Sequence, residues 1–336
     1  MTQTTTTPLT GPASAQAMGA TALAAPALRY AGHRRRESFG RRCADSLALY
    51  AIIAPTFILL AIFSLVPFVI AIGTSFFDYE VGGEATFIGV ANYTEYLRDY
   101  TFWKSFANLF FLTGFHVIAV MIVPLAVAKL IFSLSSERAS YVYRILFLFP
   151  IVVPNVALYL IWRSVIYNED GLLDQVLTRL GFTLPAQGWL SGPDTVLWAL
   201  AFIGFPFAGG INVLIYYAGL TAIPDSVHEA ATIDGATGFR KFLLVDVPLV
   251  MSQMKLLVML TIIGGIQAFE GVYILTNGQP GFESMVPGLW MYQNAFLFQR
   301  MGYACAIGVI LFLLILSLTV INLRYFRTSE QMQGES

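Results

Sequence analysis

Six stretches of this chain run long enough without Asp, Glu, Lys or Arg, or nearly so, to cross a hydrocarbon layer as helices, and that pattern narrows the possible folds more than any single motif. At a rise of 1.5 Å per residue, a core about 30 Å thick needs about 20 apolar residues. The windows are Ser46 to Phe77, Ser105 to Ala128, Ile145 to Trp162, Thr195 to Ile223, about Leu256 to Thr276, and Met301 to Leu323. The third is short and holds Pro150 and Pro154, so a bent or broken helix is expected there, with neighbouring helices satisfying the freed carbonyls. The fifth carries one acid, Glu270. Composition agrees, at 57% hydrophobic and 12% charged residues, against about 45–50% and about 25% in soluble domains. The expected fold class is an all-α integral membrane protein with six transmembrane helices across 46–327. A disordered basic tail, 1–45, precedes it and a short cytoplasmic tail, 328–336, follows.

Orientation follows from the basic residues, because cytoplasmic flanks keep Lys and Arg during insertion. With the N-terminus inside, only Arg98, Lys104, Arg163, Arg179 and Arg300 of the 19 basic residues fall outside. Lys129, Arg138, Arg144, Arg240, Lys241, Lys255, Arg324 and Arg327 fall inside, as do the six arginines before the first span. Both termini are therefore expected in the cytoplasm. Residues 1–28 lack the basic start and continuous apolar core of a secretory signal. The segment HRRRESFGRR reads as a topology anchor touching anionic lipid headgroups; nucleic-acid binding is the weaker reading. Cys43 and Cys305 fall on the cytoplasmic side and within the sixth span, which argues against a disulfide, and no spacing suggests a metal.

A partly charged segment of small residues, EAATIDGATGFRKFLLVDVPLV from Glu229 to Val250, interrupts the apolar pattern on the cytoplasmic side. Pro224-Asp225-Ser226 ends the fourth span, and Ser226 with Glu229 has capping-box spacing for a new helix. That helix should end at Asp234-Gly235, where glycine accepts the left-handed conformation. A second helix, from about Gly238 to Val247, should stop before Pro248. Two helical turns are marginal alone in water. Ala230 and Ala231 would let a partner's surface approach the backbone closely.

Glu229-Ala230-Ala231, three residues, Gly235, nine residues, then Val245-Asp246-Val247-Pro248 resembles the EAA signature of permease subunits in binding-protein-dependent ABC importers. It is most similar to the sugar branch that includes the maltose and glycerol-phosphate systems. Val247 replaces the usual Leu, and Asp246 is more polar than common. The resemblance extends beyond this motif. Phe87, Gly89, Asn92 and Tyr93 match F-x-G-x-x-N-Y, Phe102 or Phe106 with Asn108 follow loosely, and FEGVYILTNGQPG resembles F-D-x-I-Y-x-L-T-x-G-G-P with Gln279 for one Gly.

The resemblance implies the type I importer permease fold, with 224–250 as the coupling segment and Glu229, Ala230, Ala231, Asp234, Gly235, Val245 and Pro248 meeting a cytoplasmic ATPase. Its implied partners are a second homologous permease, two ATPase subunits and an extracytoplasmic solute-binding protein. No cofactor belongs to this chain; ATP and Mg would be used by the ATPase subunits. The chain contains no G-x-x-x-x-G-K-[ST] phosphate loop, so no hydrolysis is expected of it.

The substrate pathway is less defined. Glu270 is the only acid inside a predicted span, and burying charge in lipid is costly. It also falls within about two turns of the outer surface, where reaching water would explain it equally. Gln267, Tyr273, Asn212 and Asn155 offer the hydrogen-bonding groups a sugar needs, although such residues more often glue helices together. His116 reads as a packing residue. Gly204, Gly209, Gly210, Gly264 and Gly265 read as close-packing sites or hinges, and 168–194 with Trp189 as an outer cap or a solvated loop. An ion-coupled secondary transporter is the alternative class, but such folds show inverted repeats and several intramembrane acids. A non-sugar solute is the other alternative. A membrane enzyme lacks any nucleophile and base pairing in this sequence.

Overall fold

The computed structural model describes residues 39–205 and 209–325, with side chains from Tyr50 onward except at Leu323 and Tyr325. The expected tails, 1–45 and 328–336, lie largely or wholly outside the described residues. The chain divides into two units, residues 1–61 and 62–336. The described part of the first is the helix α1, Phe39–Leu60, with Pro55 inside it.

In the second unit the helices are α2 (Val66–Thr74), α3 (Ala91–Arg98), α4 (Tyr100–Phe132), α5 (Glu137–Leu148), α6 (Asn155–Ile161), α7 (Leu172–Arg179), α8 (Val196–Ala201) and α9 (Gly210–Thr221). They continue with α10 (Asp225–Ile233), α11 (Gly238–Lys241), α12 (Val247–Leu249), α13 (Met251–Gln267), α14 (Glu270–Leu275), α15 (Pro287–Phe296) and α16 (Met301–Tyr325). One short antiparallel pair, Phe77–Asp78 with Thr86–Phe87, follows α2.

Each predicted window has a counterpart, in three different forms. Tyr50–Thr74, Tyr100–Phe132 and Met301–Asn322 are long and apolar enough to span alone. The third window is a pair, Glu137–Val152 and Asn155–Ile166, bent by 90°. The break falls at Pro154, which is extended and begins α6, as the missing N–H and the ring's steric demand require. The fourth is the shorter helix α9, because the backbone leaves the helix after Ala201.

The fifth window corrects two expectations. The helix does not stop before Pro248: a wide π turn over Phe242–Asp246 leads into α12, and the chain turns by 68° between Leu249 and Met251 instead. In a regular helix the proline ring strikes the carbonyl four residues back, and the wider turn displaces that carbonyl. Glu270 also does not sit within a continuous span. Ala268 is extended, α13 ends at Gln267, and Glu270 opens the separate helix α14, where a carboxylate suits the positive end of the dipole.

Three apolar clusters hold the second unit together. Leu125, Ala128 and Ile131 of α4, Val213, Tyr216 and Leu220 of α9, and Val250, Met254 and Leu257 around the start of α13 form one. A second joins α8, α14 and α15 through Val196, Leu200, Val272 and Leu289. The third joins Tyr96, Leu109, Ile266, Tyr303 and Ile307 from α3, α4, α13 and α16. In lipid, tight packing and buried polar contacts rather than water exclusion bind such helices. Gly265 shows it: a Cβ there would lie 2.8 Å from Thr113 Oγ1. A Cβ at Gly210 would lie 2.1 Å from the Phe147 carbonyl oxygen, so these two glycines are close-packing sites. Gly264 has open space around its Cβ position.

The landmarks Asn92, Tyr93 and Asn108 are structural ties. Buried Asn92 donates through Nδ2 to the carbonyls of Ser75 (2.9 Å) and Phe77 (3.0 Å), and Tyr93 Oη lies 2.6 Å from Ser75 Oγ. Asn108 Nδ2 donates to Met285 O (2.9 Å), fixing the turn that leads into α15. Gly89 takes φ +59°, which explains glycine in that element.

Candidate functional site

Two regions carry the expected function: the segment 224–250 and a cavity between helices. The first begins where Pro224, extended, leads the chain into α10. The predicted cap is not made. Asp225 is already the first helical residue, so Ser226 lies inside the first turn, and no side chain caps the helix. The Asp225 carboxylate supplies favourable charge at that end instead.

The C-terminal end follows the expectation closely. Gly235 has φ +79°, Gly235 N donates to Thr232 O (3.1 Å), and Ala236 N donates to Ala231 O (2.9 Å). That is the Schellman pairing, which satisfies two carbonyls that the helix end leaves open. Space around Gly235 is empty, so its requirement is conformational rather than steric. Ala230 and Ala231 part company here. Ala230 is exposed, whereas Ala231 is buried and packs inward, so only Ala230 offers a partner a close approach.

The outer face of the segment is unusually apolar for a polar surface: Ile233 is 87% and Phe239 73% exposed, with Leu243 and Leu244 beside them. A groove of about 600 Å³ lined by Asp225, His228, Glu229, Thr232, Ile233 and Lys241 runs along it. Glu229, Asp234 and Pro248 are exposed and Val245 is half-buried. An exposed apolar knob rimmed by carboxylates and amines is the form of a protein-docking surface.

Asp246 behaves differently from its neighbours. It is fully buried, and its Oδ2 lies 2.5 Å from Lys129 Nζ in the last turn of α4. Its Oδ1 lies 3.7 Å from His228 Nδ1 on α10. The sequence showed Asp246 only as a departure from the family pattern and Lys129 only as a topology marker. The polar departure itself was the available signal.

The cavity has a volume of about 500 Å³ and is walled by α4, α6, α13, α14 and the approach to α9. Its lining is mostly aliphatic, with Thr113, His116, Asn155 and Tyr159 as the polar side chains. Among the described residues no Asp, Glu, Lys or Arg lines it. His116 therefore faces the cavity as well as packing, with Nδ1 2.7 Å from Leu112 O. Thr113 Oγ1 is buried without a partner in this structure. Of the predicted pathway residues only Asn155 is part of the lining. Asn212 stands against Gly209, whose φ of +92° opens α9. Gln267, Glu270 and Tyr273 are exposed on the surface of the single chain. Tyr159, unremarked in the sequence, and Phe269 and Gly271, noted there only as part of FEGVYILTNGQPG, form the wall beside α14.

On the expected outer side, Trp189 Nε1 donates to Asp174 Oδ1 (2.6 Å) within 168–194, and Tyr167 Oη donates to Ala199 O (2.7 Å) beside it, so the segment is tied down by side-chain hydrogen bonds. Burial raises the pKa of the Tyr167 hydroxyl well above its ordinary value.

Residues 21–327 match the family described as binding-protein-dependent transport system inner membrane component. The chain belongs to that family. This permease is 31% identical over 293 residues, 85% of this chain and 92% of the relative, to the sulfoquinovosyl glycerol transport system permease protein SmoG of Agrobacterium fabrum. It is 30% identical over 281 residues, 82% and 88% of the two chains, to the arabinooligosaccharides transport system permease protein AraP of Bacillus subtilis. The diacetylchitobiose uptake system permease protein NgcF of Streptomyces coelicolor is 28% identical over 321 residues, 93% and 90% of the two chains.

Its fold matches a chain of a bacterial alginate ABC transporter, solved in complex with alginate pentasaccharide-bound periplasmic protein. The TM-score is 0.74 at 19% identity, covering 85% of this chain and 96% of that one. The fold is thus that of a type I ABC importer permease, and the permease is an inner-membrane transport component rather than an enzyme.

Proposed function

We propose that this permease forms half of the translocation pathway of an ATP-driven carbohydrate importer. In this reading it pairs with a second homologous permease and receives its solute from an extracytoplasmic binding protein. The segment 224–250 docks a cytoplasmic ATPase subunit, with Glu229, Ala230, Asp234 and Gly235 in the contact and Val245 and Pro248 setting the returning helix. ATP and Mg are handled by two such subunits and none by this chain. Both termini face the cytoplasm.

The observation that carries the reading is the exposed knob of Ile233 and Phe239 on a helix ended by Gly235. Apolar surface of that kind outside the membrane is costly unless a partner covers it. The two-sided arrangement of ion pairs supports the orientation. Lys129 and Asp246, both expected inside, pair with each other, whereas Lys104 pairs with Glu283 and Arg300 with Glu95 on the expected outer side.

The relatives named for arabinooligosaccharides, diacetylchitobiose and sulfoquinovosyl glycerol favour a carbohydrate. The uncharged lining of the cavity favours a neutral one, since hydroxyl, amide and imidazole groups can exchange hydrogen bonds with sugar hydroxyls while an anion would lie unpaired. Gln267, Glu270 and Tyr273 then face the second permease, which closes the pathway from the other side.

Purification of the tagged permease from its own host tests this. The expected result is a complex holding a nucleotide-hydrolysing subunit and a second permease. Reconstituted, it imports only with ATP inside and binding protein outside. Uptake driven by a proton or sodium gradient without ATP would replace this reading with a secondary transporter.

A further inference from the structure

Covalent connection carries any movement of the coupling segment into α13, which follows it in the chain, but α4 has no such link. Yet α4 walls the cavity with Leu109, Leu112, Thr113 and His116, and the same helix carries Lys129 in its last turn, about 20 Å beyond His116 at 1.5 Å per residue. Lys129 is the cation bound to buried Asp246. A buried carboxylate held by a single ammonium is a costly arrangement, which apolar residues would replace without loss of packing.

His228, on the coupling helix itself, is the third member. Both its ring nitrogens are buried without a partner, and Nδ1 faces the other Asp246 oxygen at 3.7 Å, beyond hydrogen-bond reach. Phe132 of α4 packs against the His228 ring at 5.9 Å and under Lys129 Nζ at 5.1 Å, while Lys241 Nζ holds the His228 carbonyl at 3.1 Å. A shift of α10 by about 1 Å would bring Nδ1–H onto the carboxylate.

We propose that Asp246 is the positioning residue of the transport stroke, joining the coupling helix to α4. Lys129 anchors its carboxylate on α4, and His228 takes the free oxygen when the ATPase drives α10 toward the membrane. The displacement then reaches the cavity wall through α4. This rests on the docking reading above, and it adds to the apolar contacts of α4 with α9 and α13 a polar link from α4 to the coupling segment itself.

The test uses the complete transporter in proteoliposomes, with Cys43→Ser and Cys305→Ser removing native thiols and Leu112→Cys reporting from the cavity. A membrane-impermeant maleimide added outside labels that thiol. ATP with vanadate should change its labelling rate about five-fold or more, the lower range of coupling between linked sites. Adding Asp246→Asn or Lys129→Met should leave the ATPase subunit bound and abolish the change. His228→Leu should abolish it too, and His228→Asn, which keeps a donor near Nδ1, should retain it.

If the single variants fold poorly, the paired Lys129→Met and Asp246→Leu variant restores packing without charge, and is expected to match the parent in thermal stability while not responding to ATP. A response in that paired variant, or in Asp246→Asn with ATPase bound, overturns this proposal alone. A parent transporter that lacks the ATPase overturns the docking reading and this one together.

Discussion

The two ends of this permease are each pinned by an ion pair, and the pairs differ in burial far more than in length. At the expected outer end Arg300 Nη2 donates to both oxygens of Glu95 at 2.7 and 2.8 Å, with the two side chains 41% and 50% exposed. At the expected inner end Lys129 meets Asp246 at 2.5 Å with the carboxylate fully buried. Water and salt screen the first, so its net contribution is small whatever its geometry. In the second, Lys129 is 26% exposed but the Asp246 carboxylate has no water to fall back on, so losing the lysine leaves a charge unsolvated. A short distance therefore says little about what a pair does.

The largest expected effect tests that contrast directly. Lys129→Met should destabilise the permease by about 3–5 kcal/mol, seen as a lowered melting temperature in detergent, because Asp246 is left buried and unpaired. A change no larger than that of Arg300→Ala would break the comparison. Next, Asn108→Ala removes the donor to the Met285 carbonyl, one of the ties that shape the outer end. A cost of about 1–3 kcal/mol is expected, with faster proteolysis around 280–286 as the readout.

Gly235→Val lies between the two in character. Its φ of +79° suits no β-branched residue, at a local cost of about 1–2 kcal/mol. Because the strain falls at the exposed end of a short helix, melting temperature should drop only modestly while ATPase co-purification falls. Equal ATPase recovery at normal expression would count against the docking role. The smallest effect is expected from Glu95→Gln: at most about 1 kcal/mol, shrinking as salt rises. A loss that persists undiminished in high salt would show that the outer pair is shielded after all.

Much of the architecture was legible beforehand because lipid imposes a one-dimensional rule. A span must be apolar over a set length and must satisfy its own backbone, so the windows around Ser105 to Ala128 and Met301 to Leu323 announce α4 and α16 directly. Pro154 announced the 90° break for the same local reason. Gly235 announced the end of α10, since a left-handed residue is needed there.

Where several elements converge, such local rules fall short. Pro248 was read as a stop, yet the π turn before it carried the helix on. Glu270, Gln267 and Tyr273 were chosen for their chemistry within an assumed continuous span. The break at Ala268 left them on the surface, while Tyr159, Phe269 and His116 form the cavity wall.

By itself, then, the sequence determined the order of the apolar stretches along the chain and some of the local endings of its helices, such as the one at Gly235. Each of these depends on neighbours along the chain and on the dielectric of the surrounding lipid. Only the tertiary structure decided that Lys129 and Asp246, which are 117 positions apart in the sequence, share a buried contact, and which side chains wall the cavity. Those outcomes depend on helix crossing and rotation, set by packing at sites such as Gly265 against Thr113, which no periodicity along one strand of sequence records.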